Sequence, residues 1–395
     1  VSILSDGSLI ALGRWNNTIG LWINRNKESF TYEKFADFEE HTDKILSVSI
    51  SPNGKYVVSG SRDRTVRLWS VREKRLLHGF KEHKGNVNSV SFSSNSNLIV
   101  SGSMDNMVYL WSVNEKKLVH AFKGHNGGVS SVSFSPNNEF IVSGSKNGMI
   151  CLWSIKERKL ELIHTFRGHE WQVNCVSFSP DGELLASGSW DNTVRLWSLK
   201  ERKLLATFNH QISFGHERPC IECVAFSPDN EFIITGGWNY TVTLWSIKDS
   251  NKPQKIFDEH KNIICDVKFS PDGASASRDC TVRIWSASSD SKSLAVIRGF
   301  IGCVSHIAWN KTSEGLFLHT INSSENVGNG NKFYRYWQIE QDGQDGQDGH
   351  KLQVKLRWVP YQSALTTYNA RIKNVNGLSP MNEKLLIQYG ATRKE

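Results

Sequence analysis

Residues 87–113 read VNSVSFSSNSNLIVSGSMDNMVYLWSV. Apolar side chains step along this segment at Val87, Val90 and Phe92, at Leu98 and Val100, and at Val108 and Leu110. This is the two-residue period of short strands, in runs rich in Val, Ile and aromatics. Equivalent breaks elsewhere read SPNG, SPDG and SPDN, where Pro and Gly fit tight turns and interrupt any helix. A sheet of such strands has two apolar faces and cannot cover them alone.

The segment recurs. Copies of its second half read VSGSRDRTVRLWSV (58–71), VSGSKNGMICLWSI (142–155), ASGSWDNTVRLWSL (186–199), ITGGWNYTVTLWSI (234–247) and a shortened ASASRDCTVRIWSA (274–287). An earlier copy, ALGRWNNTIGLWI, carries Trp22, and a degraded later one, GNGNKFYRYWQI, carries Trp337. From Trp22 through Trp69, Trp111, Trp153, Trp197, Trp245 and Trp285 to Trp337 the spacings are 47, 42, 42, 44, 48, 40 and 52. A period of about 45 belongs to a propeller blade of four short strands. Stacking blades in a ring buries both faces of each. The expectation is an all-β closed propeller over residues 1–358, with eight blades preferred and seven the alternative. The sixth full copy, SPDGASASRD, lacks about three residues at its second strand by comparison with SPDGELLASGSWD, so that blade is expected to be irregular.

This pattern resembles the WD-repeat, or β-transducin-like, family. Its marks are a Gly-His pair some 28 residues before the Trp and an Asp six before it; His41, His83, His125 and His169 each precede their Trp by 28, His216 by 29 and His260 by 25. The resemblance implies a hydrogen-bonded tetrad in a blade. The sets are His41, Ser59, Asp63 and Trp69; His83, Ser101, Asp105 and Trp111; His169, Ser187, Asp191 and Trp197; and His260, Ser275, Asp279 and Trp285. A buried imidazole needs a partner for each nitrogen and a buried carboxylate needs donors, and the tetrad supplies both. Asn147 and Asn239 replace the Asp in two copies, keeping an acceptor but losing the charge. Leu12 with Asn16, and Val327 with Asn331, are expected to leave the terminal blades without the group. A Ser/His/Asp grouping is also the composition of a hydrolase triad. Its recurrence, the absence of G-x-S-x-G and an indole that consumes the hydroxyl favour the structural role.

The resemblance also implies that the residue before each Asp or Asn faces partners. These are Trp15, Arg62, Met104, Lys146, Trp190, Trp238 and Arg278, with Trp171 beside them in an entry loop. Trp and Arg are the residue types enriched in interface hot spots. The turns VREKRL, VNEKKL, IKERKL and LKERKL form a basic rim, expected on the other face, around Lys116, Arg158 and Lys203. Interleaved Glu and the lack of an aromatic stacking platform favour solvated turns over a nucleic-acid or anionic-lipid site.

Cys220 and Cys223 form a lone C-x-x-C without further zinc-type ligands, so small buried side chains are the expected reading and no metal or cofactor is predicted. No phosphate loop, HExxH or EF-hand motif occurs. With 47 Lys and Arg against 39 Asp and Glu the net charge is +8, and 38% apolar residues suffice for a core. No apolar run reaches the ~18 residues of a membrane span, and the first thirty residues carry no secretory signal pattern. Seven Cys, an odd count, suit reduced thiols in the cytoplasm. The run QDGQDGQDG (341–349) reads as a loop between two strands, and residues 359–395 as a tail with one short helix from Ser379 to Gly390. Starting at Val1 within the pattern, the sequence reads as a fragment of a longer chain. The functional expectation is a noncatalytic scaffold for protein partners, as the regulatory or sensing propeller of a multidomain signalling protein. The alternatives are an anionic-polymer binder and an enzyme with its site in the central channel.

Overall fold

Each predicted run of alternating residues forms a strand, and the tight turns between them hold the strands in chain order. The computed structural model describes residues 2–4, 6–14, 16–24, 32–156, 159–210, 220–249, 252–269, 274–285, 293–300, 302–312, 315–323, 332–341, 352–358, 371–372 and 392–393. In the third blade the strands are Val87–Phe92, Leu98–Ser103, Met107–Ser112 and Lys117–Lys123, joined antiparallel. Eight such four-stranded sheets follow one another along the chain. Antiparallel order sends alternate connections to opposite ends. The turn from second to third strand and the loop entering the next blade therefore share one end of the ring. The other two turns share the opposite end.

The core lies between blades rather than within them. Phe38 and Leu21 of the first blade pack with Val48, Val57 and Trp69 of the second, and Val100 and Leu110 of the third pack with Val132 and Trp153 of the fourth. One recurring contact is an outermost-strand Phe on the next blade's Trp: Phe38–Trp69 at 4.8 Å, Phe80–Trp111 at 4.6 Å, Phe166–Trp197 at 5.1 Å and Phe257–Trp285 at 4.5 Å between ring centroids. These Phe residues carry a signal in the sequence, since one stands three positions before most motif His.

Closure sets the blade number at eight. Ile10, Leu12, Trp22 and Tyr32 of the first blade share a core with Phe317, Ile321 and Tyr336 of the eighth. Tyr32 meets Tyr336 edge-on at 5.4 Å, and Phe317 stacks on Tyr336 at 5.0 Å. The strands carrying Trp22 and Trp337 are thus in neighbouring blades. The seventh blade is the irregular one: its second strand is Ala274–Ser277 and its third Val282–Ile284, against six residues for Leu98–Ser103. Strands Lys332–Gln341 and Leu352–Trp358 flank the Gln/Asp/Gly run. In the tail, Arg371–Ile372 pairs in parallel with Thr392–Arg393; the expected helix from 379 to 390 lies outside the described residues.

Close approach between blades explains the glycine of the SGS motif. A β-carbon on Gly102 would stand 2.5 Å from Val129 Cγ1 and 2.7 Å from Val132 Cγ1, both in the next blade's innermost strand. Both neighbours are branched and buried, so neither can swing aside. Gly102→Ala should destabilise the ring by about 1–3 kcal/mol, read as a lower midpoint in denaturant. The seventh blade already holds Ala276 there, so Ala276→Gly is expected to bring no comparable gain.

Candidate functional site

The tetrads form where the topology brings the entry loop and the second turn together. Trp69 Nε1–H donates to Ser59 Oγ (2.9 Å), which lies 2.7 Å from His41 Nε2, while His41 Nδ1 lies 2.6 Å from Asp63. An indole is donor only, so the serine accepts from Trp69 and donates to Nε2. The imidazole is then neutral with its proton on Nδ1, aimed at the carboxylate. The corresponding contacts are 2.8, 2.8 and 2.8 Å in the His83 set, 2.9, 2.8 and 2.7 Å in the His169 set, and 2.7, 2.8 and 2.7 Å in the His260 set. The hydroxyls are fully buried. With its proton committed to the imidazole and its lone pair to the indole, such a serine is a structural link.

Burial alone would raise the Asp191 pKa, but the hydrogen bonds from His169 and Thr193 outweigh it and bring it down to about 2. Asp63 and Asp279 are held low against burial in the same way. For His41 and His260 burial outweighs the neighbouring carboxylate, so each imidazole resists protonation.

The blades with Asn diverge from the expectation. His125 keeps Ser143 (2.7 Å) and Trp153 keeps Ser143 (2.8 Å). Asn147, however, turns to Met149, and Cys151 Sγ stands 3.8 Å from His125 Nδ1. That blade holds three members, not four. In the sixth blade the imidazole is His210, not the expected His216, which lies outside the described residues. His210 meets Thr235 Oγ1 at 2.8 Å and the Asn239 amide at 3.1 Å, and Trp245 donates to Thr235 at 3.0 Å. The Gly-His dipeptide is a decoy; Phe208, tilted against Trp245 at 5.1 Å, marks the correct loop. Thr243 stands where other blades carry Arg67 or Arg195, and a cavity of about 170 Å³ lies beside His210 and Trp245. The eighth blade keeps half the group, since Trp337 donates to Thr320 at 2.9 Å. The second strand is Gly315–Ser323 and its serine-equivalent residue is Thr320, not the expected Val327; Val327 and Asn331 lie outside the described residues.

The candidate partner-facing residues occupy one end of the ring. The backbone N–H of Arg62, Met104, Lys146, Trp190, Trp238 and Arg278 each donates over 2.9 Å to a carbonyl of its own blade's entry segment: Lys44, Asn86, Gly128, Gln172, Cys220 and Ile263. One bond, repeated, gives these side chains equivalent places. Trp190 is 43% exposed, Trp238 37%, Trp171 51% and Met104 36%; Arg62, Lys146 and Arg278 are exposed too. Trp238 Nε1–H donates to Glu222 (2.6 Å), and Asn174 bridges the fifth blade to Ile221 O of the sixth (2.9 Å). Trp15 lies outside the described residues. At the opposite end Lys116 sits in a turn and Lys203 opens the strand Lys203–Asn209, paired to Glu201 at 2.7 Å; Arg158 lies outside the described residues.

Cys220 and Cys223 are buried thiols. Cys220 lies 3.7 Å from the Glu222 carboxylate and Cys223 faces Gly236 O, and burial pushes both pKa values up. Among the described residues no group of three or more His, Cys, Asp or Glu is placed to hold a metal ion, and no helix is long and apolar enough to cross a membrane.

Comparison with known proteins agrees with this geometry. The family model described as WD domain, G-beta repeat matches residues 32–70, 74–112, 116–154, 160–198, 203–246 and 251–286. The chain belongs to the WD40 family. It is similar to Protein hir1 of Schizosaccharomyces pombe, 37% identical over 82 residues, or 18% of this chain and 9% of that protein. It also matches the transcriptional repressor tup12 of the same yeast, 58% identical over 33 residues (8% of this chain, 6% of tup12). The ribosome biogenesis protein BOP1 homolog of Drosophila grimshawi is 38% identical over 53 residues (13% of this chain, 7% of that protein). The matched stretch is under a tenth of each relative's length.

Two outcomes follow for the WD40 tetrads. Asp191→Ala strands the His169 N–H and should cost about 1–3 kcal/mol. Asn16→Ala should cost much less, because Asn16 only caps Thr18 and Leu12 breaks that blade's network; equal losses in thermal unfolding would remove the tetrad argument. Burial lowers His125 to a pKa of about 4. The unfolded imidazole takes its proton near pH 6.5, so stability falls as pH drops from there toward 4. At pH 5 the loss through His125 alone is about 2 kcal/mol. A His125→Asn variant should show a flatter dependence of unfolding free energy on pH.

Proposed function

We propose that this WD40 propeller is a noncatalytic scaffold that grips a protein partner on the ring end bearing Trp171, Trp190 and Trp238. The observation that carries the reading is the exposure of these indoles in two adjacent blades, with Trp190 and Trp238 placed by the same backbone bond and Trp171 in the entry loop of the first of the two. Monomeric surfaces rarely leave such residues bare, and Trp anchors dominate interface energetics. Arg62, Arg278 and Lys146 around the same end supply the polar rim that a protein interface needs. The names of the relatives, a transcriptional repressor and a ribosome biogenesis protein among them, fit a noncatalytic role. On this reading the ring is the regulatory or sensing propeller of a larger signalling protein. Its seven free cysteines suit a reducing compartment such as the cytoplasm.

An apolar anchor tolerates salt, whereas phosphate contacts weaken steeply with it. Binding of the captured partner should therefore survive roughly 0.3 M salt and fail for Trp190→Ala plus Trp238→Ala. Charge reversal at Lys116, Arg158 and Lys203 should leave it unchanged. Loss on charge reversal with retention in the Trp variant would place the binding end on the wrong side.

A further inference from the structure

Tight turns in this ring repeatedly put one residue in the left-handed backbone region, where a β-carbon crowds the following carbonyl and Gly or Asn is favoured. In the turns from first to second strand the residues are Gly54, Ser96, Asn138, Gly182 and Asn230. These are small or amide side chains, as the geometry prefers. The turns from second to third strand hold Asn17, Asn106, Gly148 and Asn192 there but also Arg64, Tyr240 and Cys280, and the turns from third to fourth strand hold only cations: Lys74 (φ 54°), Lys116 (φ 51°) and Arg202 (φ 54°), in blades two, three and five. Long cations occupy it repeatedly, and the turn itself gains nothing from them.

Charge sharpens the point. Segments 71–75, 113–117, 155–159 and 199–203 hold eleven Lys or Arg and four Glu, an excess of seven in a chain whose net charge is +8. The neighbouring turns from first to second strand share this end and in blades two to five add Lys55 against Glu139, Asp181 and Glu183, which leaves the arc basic. Within each described turn the Glu is occupied by the cation after the strained one: Glu73 with Arg75, Glu115 with Lys117 at 2.9 Å, and Glu201 with Lys203 at 2.7 Å. Lys74 lies over the Phe35 ring at 4.0 Å. Lys116 and Arg202 are exposed and have no hydrogen-bond or ion-pair partner among the described residues. Leu162, Leu204 and Leu205, on the outermost strands of the fourth and fifth blades, are exposed beside this rim.

We propose that this arc is a second docking surface, and that its occupant is an extended acidic polypeptide segment with interspersed apolar residues. The cations match the acidic groups and the bare leucines match the apolar ones. The turns stand in successive blades at one end of the ring, so a flexible chain can follow several of them. Single-stranded nucleic acid would call for aromatic stacking, and the exposed Trp residues are at the other end. Protecting strand edges from pairing also uses lysine, but any edge position serves for that; it does not call for the strained one.

The variant Lys74→Gly, Lys116→Gly and Arg202→Gly separates these roles, because glycine accepts the same backbone. With a fluorescent peptide alternating Glu and Leu as probe, wild type should bind and a Lys/Leu peptide should not. The glycine variant should melt higher and bind about tenfold more weakly, with a flatter salt dependence. Trp190→Ala plus Trp238→Ala should leave peptide binding intact. Equal peptide affinity in wild type and the glycine variant overturns the proposal. So does tighter binding of an oligonucleotide or of phosphatidylserine vesicles than of the acidic peptide.

Discussion

A buried indole N–H must find an acceptor, and this structure is organised around where it finds one. In four blades the donor from Trp69, Trp111, Trp197 or Trp285 reaches a strand serine, which passes its own proton to a histidine, which points its remaining proton at an aspartate. Each step is forced by the donor inventory of the one before. The chain runs from third strand to second strand to entry loop to turn, so it fixes the loops of one ring end to the sheet. Unmaking any link leaves a buried polar group unpaired, which costs more than the bond contributes.

Those loops matter because the blades have no cores of their own. Apolar side chains meet between sheets, and the Phe-on-Trp contact joins the outermost strands of the first six blades to the following blade. The eighth interface, through Tyr32 and Tyr336, spares the array two exposed apolar faces. A ring closed in this way presents its end loops as a rigid surface. That is the condition under which exposed Trp171, Trp190 and Trp238 lose little entropy on meeting a partner.

The repeat, the blade number and the four Asp tetrads were legible because the same residues return at nearly constant spacing. Legibility failed where insertions broke the spacing. His210 was missed because the loop after it is long and offers a decoy Gly-His, and Thr320 because the strands of the last hairpin are separated by residues 324–331. Asn147 keeps an acceptor but turns to Met149, whereas Asn239, equally uncharged, stays 3.1 Å from the His210 imidazole, so the loss of charge alone does not decide the outcome. The strained cations of the rim carry no signal in sequence, because left-handed backbone is a property of the turn and not of Lys or Arg.

Indole N–H hydrogen exchange tests the central claim most directly, since it reads the first link of each tetrad in the intact ring. The account predicts that Trp69, Trp111, Trp197 and Trp285 exchange only at the rate of global unfolding. Trp190, on the exposed end, should exchange orders of magnitude faster. Fast exchange at the four tetrad indoles, on the timescale of Trp190, would contradict it.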